Sequence, residues 1–182
     1  MNRRPNFPTV AFTSWVRFAI LALFGPFIAH AANPTTTVVI IRHAERASFF
    51  DSNSPLSGKG LRRADGLAYL LDRFNPETLF ASNLVRTQQT LRPLSEHIHR
   101  PLVIWDYRQS ASLASYLKAT YLGKTVLVCW HHDHMGELAK ALGVEGPVPH
   151  WSIFTFNKIW IVTLPGNGPG QLQIQTQWRD SR

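Results

Sequence analysis

Two points in the sequence carry groups able to do chemistry near neutral pH: Arg42-His43-Ala44-Glu45-Arg46 and His131-His132-Asp133-His134. Each closes a short apolar run, Thr37 to Ile41 in the first case and Val126 to Trp130 in the second. Histidine supplies a nucleophile or a proton carrier, and arginine a forked donor that fits phosphate. A further arginine, Arg86, lies in the polar stretch Ser82 to Thr90. One small volume holding Arg42, Arg86, His43 and one or more of His131, His132 and His134 would suit a dianionic oxyanion, with His43 able to attack phosphorus. Such attack needs a neutral imidazole held in one tautomer by a bond to its other nitrogen. Neighbouring guanidiniums oppose protonation of His43 and stabilise charge developing on phosphoryl oxygens. The scheme needs no metal and no cofactor.

Strands must position these groups. The β-branched run from Thr36 reads as a strand buried on both faces, and open α/β sheets place their ligand sites at the C-terminal ends of such strands. Ala47 to Pro55, with its Phe49-Phe50 pair, reads as a loop beside the site. Ser57 is placed to cap a helix reaching about Phe74, with Leu61, Ala64, Leu67, Ala68 and Leu71 on one stripe. Thr78 to Ala81 reads as a second strand, with Ser82 and Asn83 as caps of a helix running towards His97 or Ile98 that Pro93 should kink or break. Pro101 to Trp105 reads as a third strand, Ser110 to Tyr121 as a helix stopped by Gly123, Thr125 to Trp130 as a fourth strand, and Met135 to Leu142 as a helix. Ile153 to Leu164 and Gln171 to Trp178 read as strands around the turn Pro165 to Gly170. The alternation implies an α/β fold of three layers: a mostly parallel central sheet, an antiparallel edge from the tail, and helices on both faces. Arg62 and Arg63 read as an exposed face, and Glu45 and Arg46 as an ion pair at the rim.

The chain has 182 residues, enough for one substantial core. Arg3, Arg4 and Arg17 precede an apolar run from Phe18 to Ile28 that ends in Ala29-His30-Ala31, the layout of a cleaved signal peptide. That run is well short of the roughly 20 residues that span a bilayer. The expected organisation is a signal peptide over 1–31 and a single domain over 32–182, in a periplasmic or secreted protein with no stable membrane span after cleavage. Removing three of the 19 Lys and Arg and none of the 11 Asp and Glu leaves a formal charge of +5. A modest positive charge suits an anionic substrate or surface and lacks the dense basic stripe that nucleic acid requires. Cys129 is the only cysteine, so no intrachain disulfide can form, and its apolar setting marks a buried, inert thiol.

Val39-Ile40-Ile41-Arg42-His43-Ala44-Glu45 resembles the opening signature of the histidine phosphatase superfamily, the phosphoglycerate mutase-like family, usually written Arg-His-Gly. Leu56 to Ala64 resembles its second block and Ser82 to Thr90 its third. The resemblance implies the phosphoglycerate mutase-like fold and a phosphomonoester hydrolase of the small exported type. In it His43 would carry the phosphoryl group, Arg42 and Arg86 would hold phosphate, and a second histidine would follow the fourth strand. Many members would place that histidine at His131. A bacterial and fungal subgroup with Trp-Glu-His there would place it at His132, and Trp130, Gly123-Lys124-Thr125 and Phe156 to Trp160 resemble that subgroup, which favours His132. Two features depart from the family. Ala44 replaces the glycine, still allowing backbone close to phosphate, and Gln109 stands where many members have an acid. A positioned general acid is worth about 10² to 10⁴ in rate; Asp133, Glu45 and Asp106 could replace it, and Asp133 is favoured because it adjoins the histidines. The implied partner is a small phosphorylated substrate or a phosphorylated envelope component. The competing reading, supported by the missing acid, is a non-catalytic envelope protein that binds a phosphate ligand or a metal, since imidazole and carboxylate suit zinc or copper.

Overall fold

The computed structural model describes residues 34–177; the segment 1–31 read above as a signal peptide lies outside them. Six strands and four helices occur among the described residues: β1 (Thr36–Arg42), α1 (Gly58–Asp72), β2 (Thr78–Ser82), α2 (Val85–Ile98), β3 (Leu102–Trp105), α3 (Ser110–Thr120), β4 (Thr125–Trp130), α4 (Met135–Ala141), β5 (Lys158–Leu164) and β6 (Gln171–Thr176). The sheet order is β3-β2-β4-β1-β5-β6. β1, β4, β2 and β3 pair in parallel, while β5 joins β1 and β6 joins β5 antiparallel. This is the three-layer α/β arrangement expected, with its antiparallel edge.

Alternation along the strands sorts the core into two layers. Val39, Ile41, Leu127 and Cys129 face Leu67, Leu71, Leu91 and Leu94 of α1 and α2. Val38, Ile40, Val126, Val128 and Trp130 face Leu113, Leu117 and Leu138 of α3 and α4. Cys129 is fully buried, and burial pushes its thiol pKa up, which fits an inert role. Among the described residues no helix is long and apolar enough to cross a membrane.

Five local expectations need correction. Of the kink or break expected at Pro93, the break does not occur: α2 is continuous through it, because Leu91 and Leu94 on either side are fully buried and hold the helix against the sheet. Its N-cap is Leu84, with no side-chain cap; Ser82 Oγ instead accepts from the Leu84 amide. The strand expected from Ile153 begins only at Lys158, since the carbonyls of Ser152, Ile153 and Thr155 are taken by the Arg42 guanidinium. Arg63 is not part of an exposed face: it grips both oxygens of the Glu45 carboxylate at 2.8 to 3.1 Å. Glu45 therefore pairs with Arg63 and Lys59 rather than with Arg46.

The first turn of α1 presses on the end of β1. Ser57 caps the helix through the Gly60 amide, and a Cβ on Gly60 would run into the Glu45 backbone. Gly66, in the same helix, is exposed and has open space around it. Gly60→Ala should therefore lower stability by about 1 to 3 kcal/mol through overpacking, whereas Gly66→Ala should raise it by about 0.5 to 1 kcal/mol through helix propensity. Urea unfolding of the two variants checks the opposite signs.

Candidate active site

Parallel pairing of β1 with β4 sets Arg42 opposite Trp130. The next residue on each strand, His43 and His131, therefore stand side by side, with ring centroids 5.8 Å apart. α2 follows the neighbouring strand β2 and brings Arg86 in from the same side; its Nη2 lies 3.3 Å from His131 Nδ1. Arg42, His43, Arg46, Phe49, Arg86, His131, His132, Asp133 and Ile153 line one cavity of about 180 Å³. Of the candidates read from the sequence, Arg42, His43, Arg86, His131, His132 and Asp133 converge here, while His134, Glu45 and Asp106 do not line the cavity. Arg46, Phe49 and Ile153 join them.

His43 is buried, and its Nδ1 lies 2.7 Å from the Ala44 carbonyl. A carbonyl only accepts, so Nδ1 carries the proton and Nε2 keeps its lone pair. Burial, opposed by the Ala44 bond and reinforced by Arg42, Arg86 and His131, lowers the His43 pKa to about 2. The ring is neutral and held in one tautomer, as nucleophilic attack requires. The Ala44 amide is not available to a ligand, because it donates to Thr90 Oγ1 at 3.0 Å.

Arginine cannot accept a hydrogen bond, so Arg86 fixes His131 Nδ1 as an acceptor. Nε2 of His131 then donates to Ser82 Oγ at 2.9 Å. Thr87 Oγ1 donates to the Ser82 and Leu84 carbonyls, which leaves the Ser82 hydroxyl to donate to Thr87 at 2.8 Å. Burial and Arg86 lower the His131 pKa to about 3. Ser82, Thr87 and Thr90 form this support. All three lie in the third block of the sequence, but no spacing rule alone marks them as its anchors.

His132 also lines the cavity and differs in environment. Its Nδ1 is buried without a hydrogen-bond partner among the described residues, and Asp133 at 4.0 Å is too far to bond it. Burial, then Arg42, lowers its pKa. The position favoured from sequence is thus at the site, but strand register gives the place beside His43 and Arg86 to His131.

The two arginines divide their donors between the cavity and the scaffold. Arg42 Nη1 donates to Ile153, Ser152 and Thr155 carbonyls at 2.6 to 3.2 Å, and its guanidinium lies 4.2 Å from the centre of the Phe156 ring. Arg86 Nη1 donates to the Ser52 carbonyl at 2.8 Å. Nε of both is buried without a partner among the described residues, a costly arrangement unless an anion accepts from it. Burial, then Arg46 and Arg86, lowers the Arg42 pKa to about 10, so it remains charged at neutral pH.

Of the three carboxylates considered for the acid, only Asp133 lines the cavity. Burial disfavours the Glu45 anion, but the Arg63 bonds outweigh this and hold its pKa below the ordinary value. Asp106 is bound by Arg108, which lowers its pKa. No group of three or more His, Cys, Asp or Glu among the described residues is arranged to hold a metal ion.

The sequence pattern of the histidine phosphatase superfamily (branch 1) matches residues 38–109. The protein histidine phosphatase SixA in complex with tungstate superposes with a TM-score of 0.63 at 25% identity, covering 77% of this chain and 96% of that one. The chain has the histidine phosphatase fold and its opening sequence signature. A mycobacterial glucosyl-3-phosphoglycerate phosphatase with VO3 aligns at a TM-score of 0.61 and 16% identity, covering 78% of this chain and 99% of the other. An alpha-ribazole-5'-P phosphatase described as putative, from Escherichia coli, aligns at 0.60 and 15%, covering 78% and 96%. These last two likenesses concern fold. No match was found among curated proteins.

The neutral histidines make stability depend on pH. Both have folded pKa values far below the ordinary 6.5, so below that value the unfolded chain takes up protons that the folded chain does not. Stability should fall as pH drops from about 6.5 towards about 3, by up to about 1.4 kcal/mol per pH unit for each histidine. Melting temperatures between about pH 7 and about pH 4.5 should decline steadily, and less steeply in His131→Gln. A flat profile would contradict the buried neutral pair.

Proposed function

We propose that this protein is a phosphomonoester hydrolase acting through a phosphohistidine at His43. The observation that carries the reading is His43 itself: buried, neutral, with Nδ1 occupied and Nε2 free, in a cavity shared with Arg42, Arg86 and His131. The likeness to phosphatases supports it, and SixA and the mycobacterial phosphatase were seen with the oxyanions tungstate and VO3.

In this mechanism His43 Nε2 attacks phosphorus, and the bond to the ester oxygen breaks. The leaving alkoxide takes its proton from Asp133. Water then attacks the phosphohistidine and gives a proton to the Asp133 carboxylate, the P–N bond breaks with its electron pair returning to Nε2, and phosphate leaves with both groups restored. Arg42 and Arg86 stabilise the equatorial oxygens. His131 sits beside the phosphoryl group as the second histidine, and His132 lines the same cavity. The cavity is smaller than the roughly 300 to 1,000 Å³ of a drug-sized ligand site, which suits entry of the phosphoryl group with the leaving group at the mouth. No step uses a metal. The substrate is a small phosphomonoester or a phosphorylated envelope component. In the same reading residues 1–31 are an export signal cleaved after Ala31, giving a periplasmic or secreted protein.

Phosphate release from a panel of phosphomonoesters, with and without chelator, tests the proposal. Release should survive chelation and disappear in His43→Ala. Arg86→Ala should lose about 10² to 10³ in kcat, and Asp133→Asn about 10² to 10⁴. The loss in His131→Ala should exceed that in His132→Ala. Equal release by His43→Ala would sink the mechanism. Absence of release on every substrate, with vanadate still bound, would favour the non-catalytic ligand-binding protein.

A further inference from the structure

The mouth of the cavity carries apolar side chains left exposed among the described residues. Phe49 is 61% exposed, Phe50 completely, Ile153 44% and Phe154 77%. Other exposed apolar residues, such as Tyr69 on α1 and Leu122 after α3, occur singly, which is ordinary for a surface. These four come as two adjacent pairs on two loops, and one member of each pair, Phe49 and Ile153, lines the same cavity.

Both loops are braced. Phe50 and Asp51 amides donate to Ser48 Oγ, Asp51 Oδ1 accepts from the Asn53 amide, and Asn53 Oδ1 accepts from the Val85 amide at the start of α2. Arg86 holds the Ser52 carbonyl, and Arg42 holds those of Ser152, Ile153 and Thr155. The arginines that line the cavity thus also fix the loops that present the aromatics. Arg46 also lines the cavity, its guanidinium 4.4 Å from the centre of the Phe49 ring.

We propose that the Phe49-Phe50 and Ile153-Phe154 loops dock on an anionic lipid surface and present the cavity to phosphomonoester headgroups. Charge and shape argue for this occupant. Arg42, Arg46 and Arg86 face the cavity, where a headgroup phosphate would lie, and the cavity has room for little more than that group. Phe49 and Ile153 can meet the part of a substrate just outside it. Phe50 and Phe154 are not among the residues lining that cavity and need a larger apolar medium, which acyl chains supply. Hydrolysis of the headgroup rests on the phosphatase reading; docking does not.

The full chain carrying Phe50→Cys can be labelled with an environment-sensitive dye, since the native Cys129 is fully buried, and Leu122→Cys serves as a control on a distant exposed position. With vesicles of phosphatidylcholine and phosphatidic acid, the label at position 50 should shift to the blue and brighten several-fold, while that at 122 should not. Phe50→Ser/Phe154→Ser should lose at least tenfold in kcat/KM on vesicle-borne phosphatidic acid and keep its rate on a soluble phosphomonoester. No emission change at position 50, an equal change at 122, or an equal loss on soluble substrate would overturn the docking surface. Absence of all hydrolysis together with the shift at position 50 would leave docking in place and defeat the phosphatase reading instead.

Discussion

The parallel register of β1 on β4 is the constraint from which the site follows. Six paired positions, from Thr37 with Thr125 to Arg42 with Trp130, are locked by ladder hydrogen bonds and by two buried faces. A slip of one residue would turn Val39 and Ile41 away from the α1 and α2 layer. The same lock sets His43 beside His131, because both are the first residue past the last paired position. Their rings are close without a bond between them, and each is held by a separate neighbour: Ala44 for one, Ser82 and Arg86 for the other. The fold's stability and the site's geometry are one set of interactions.

The two buried arginines show a second economy. A guanidinium has five donors in a rigid fork, more than one oxyanion can use. Arg42 directs one nitrogen at three loop carbonyls and Arg86 directs one at the Ser52 carbonyl, while Nε of each remains unpartnered among the described residues. The loop bonds partly offset the cost of burying the charge, and they couple the loops around the cavity to the residues facing it. Replacing either arginine therefore removes a charge from the cavity and a support from a loop. Lysine could not do both, having a single charged nitrogen on a flexible stem.

The helices contribute mainly by anchoring strand ends. Thr90 on α2 takes the Ala44 amide and returns its own hydroxyl proton to the Arg86 carbonyl. The first turn of α1 closes on the Glu45 backbone at Gly60, while Arg63 one turn further clamps its carboxylate. The segment just after His43 is thus held from two helices, which keeps the Ala44 carbonyl in place as the tautomer-setting acceptor.

Much of this was legible in the order of residues. β-branched runs ending in charged clusters identified β1 and β4 almost to the residue, the stripe Ala64, Leu67, Ala68 and Leu71 identified the buried face of α1, and alternation of strand and helix identified the layers, because periodicity and local propensity are properties of a single segment. Arg42, His43, Arg86, His131, His132 and Asp133 were all marked by type and by their places after strands or at a helix start. What could not be read was anything that depends on two segments meeting. Strand register decides that His131 rather than His132 faces His43. Arg42 turns Ile153 to Phe156 from an expected strand into a loop by claiming its carbonyls, and Arg63 leaves the surface to hold Glu45. The sequence by itself determined which residues could do the chemistry and which elements carry them. Only the tertiary structure decided which nitrogen is free, which arginine edge is spent and which carboxylate reaches the cavity, because hydrogen-bond partners are assigned by packing between elements and not by the order of residues within one.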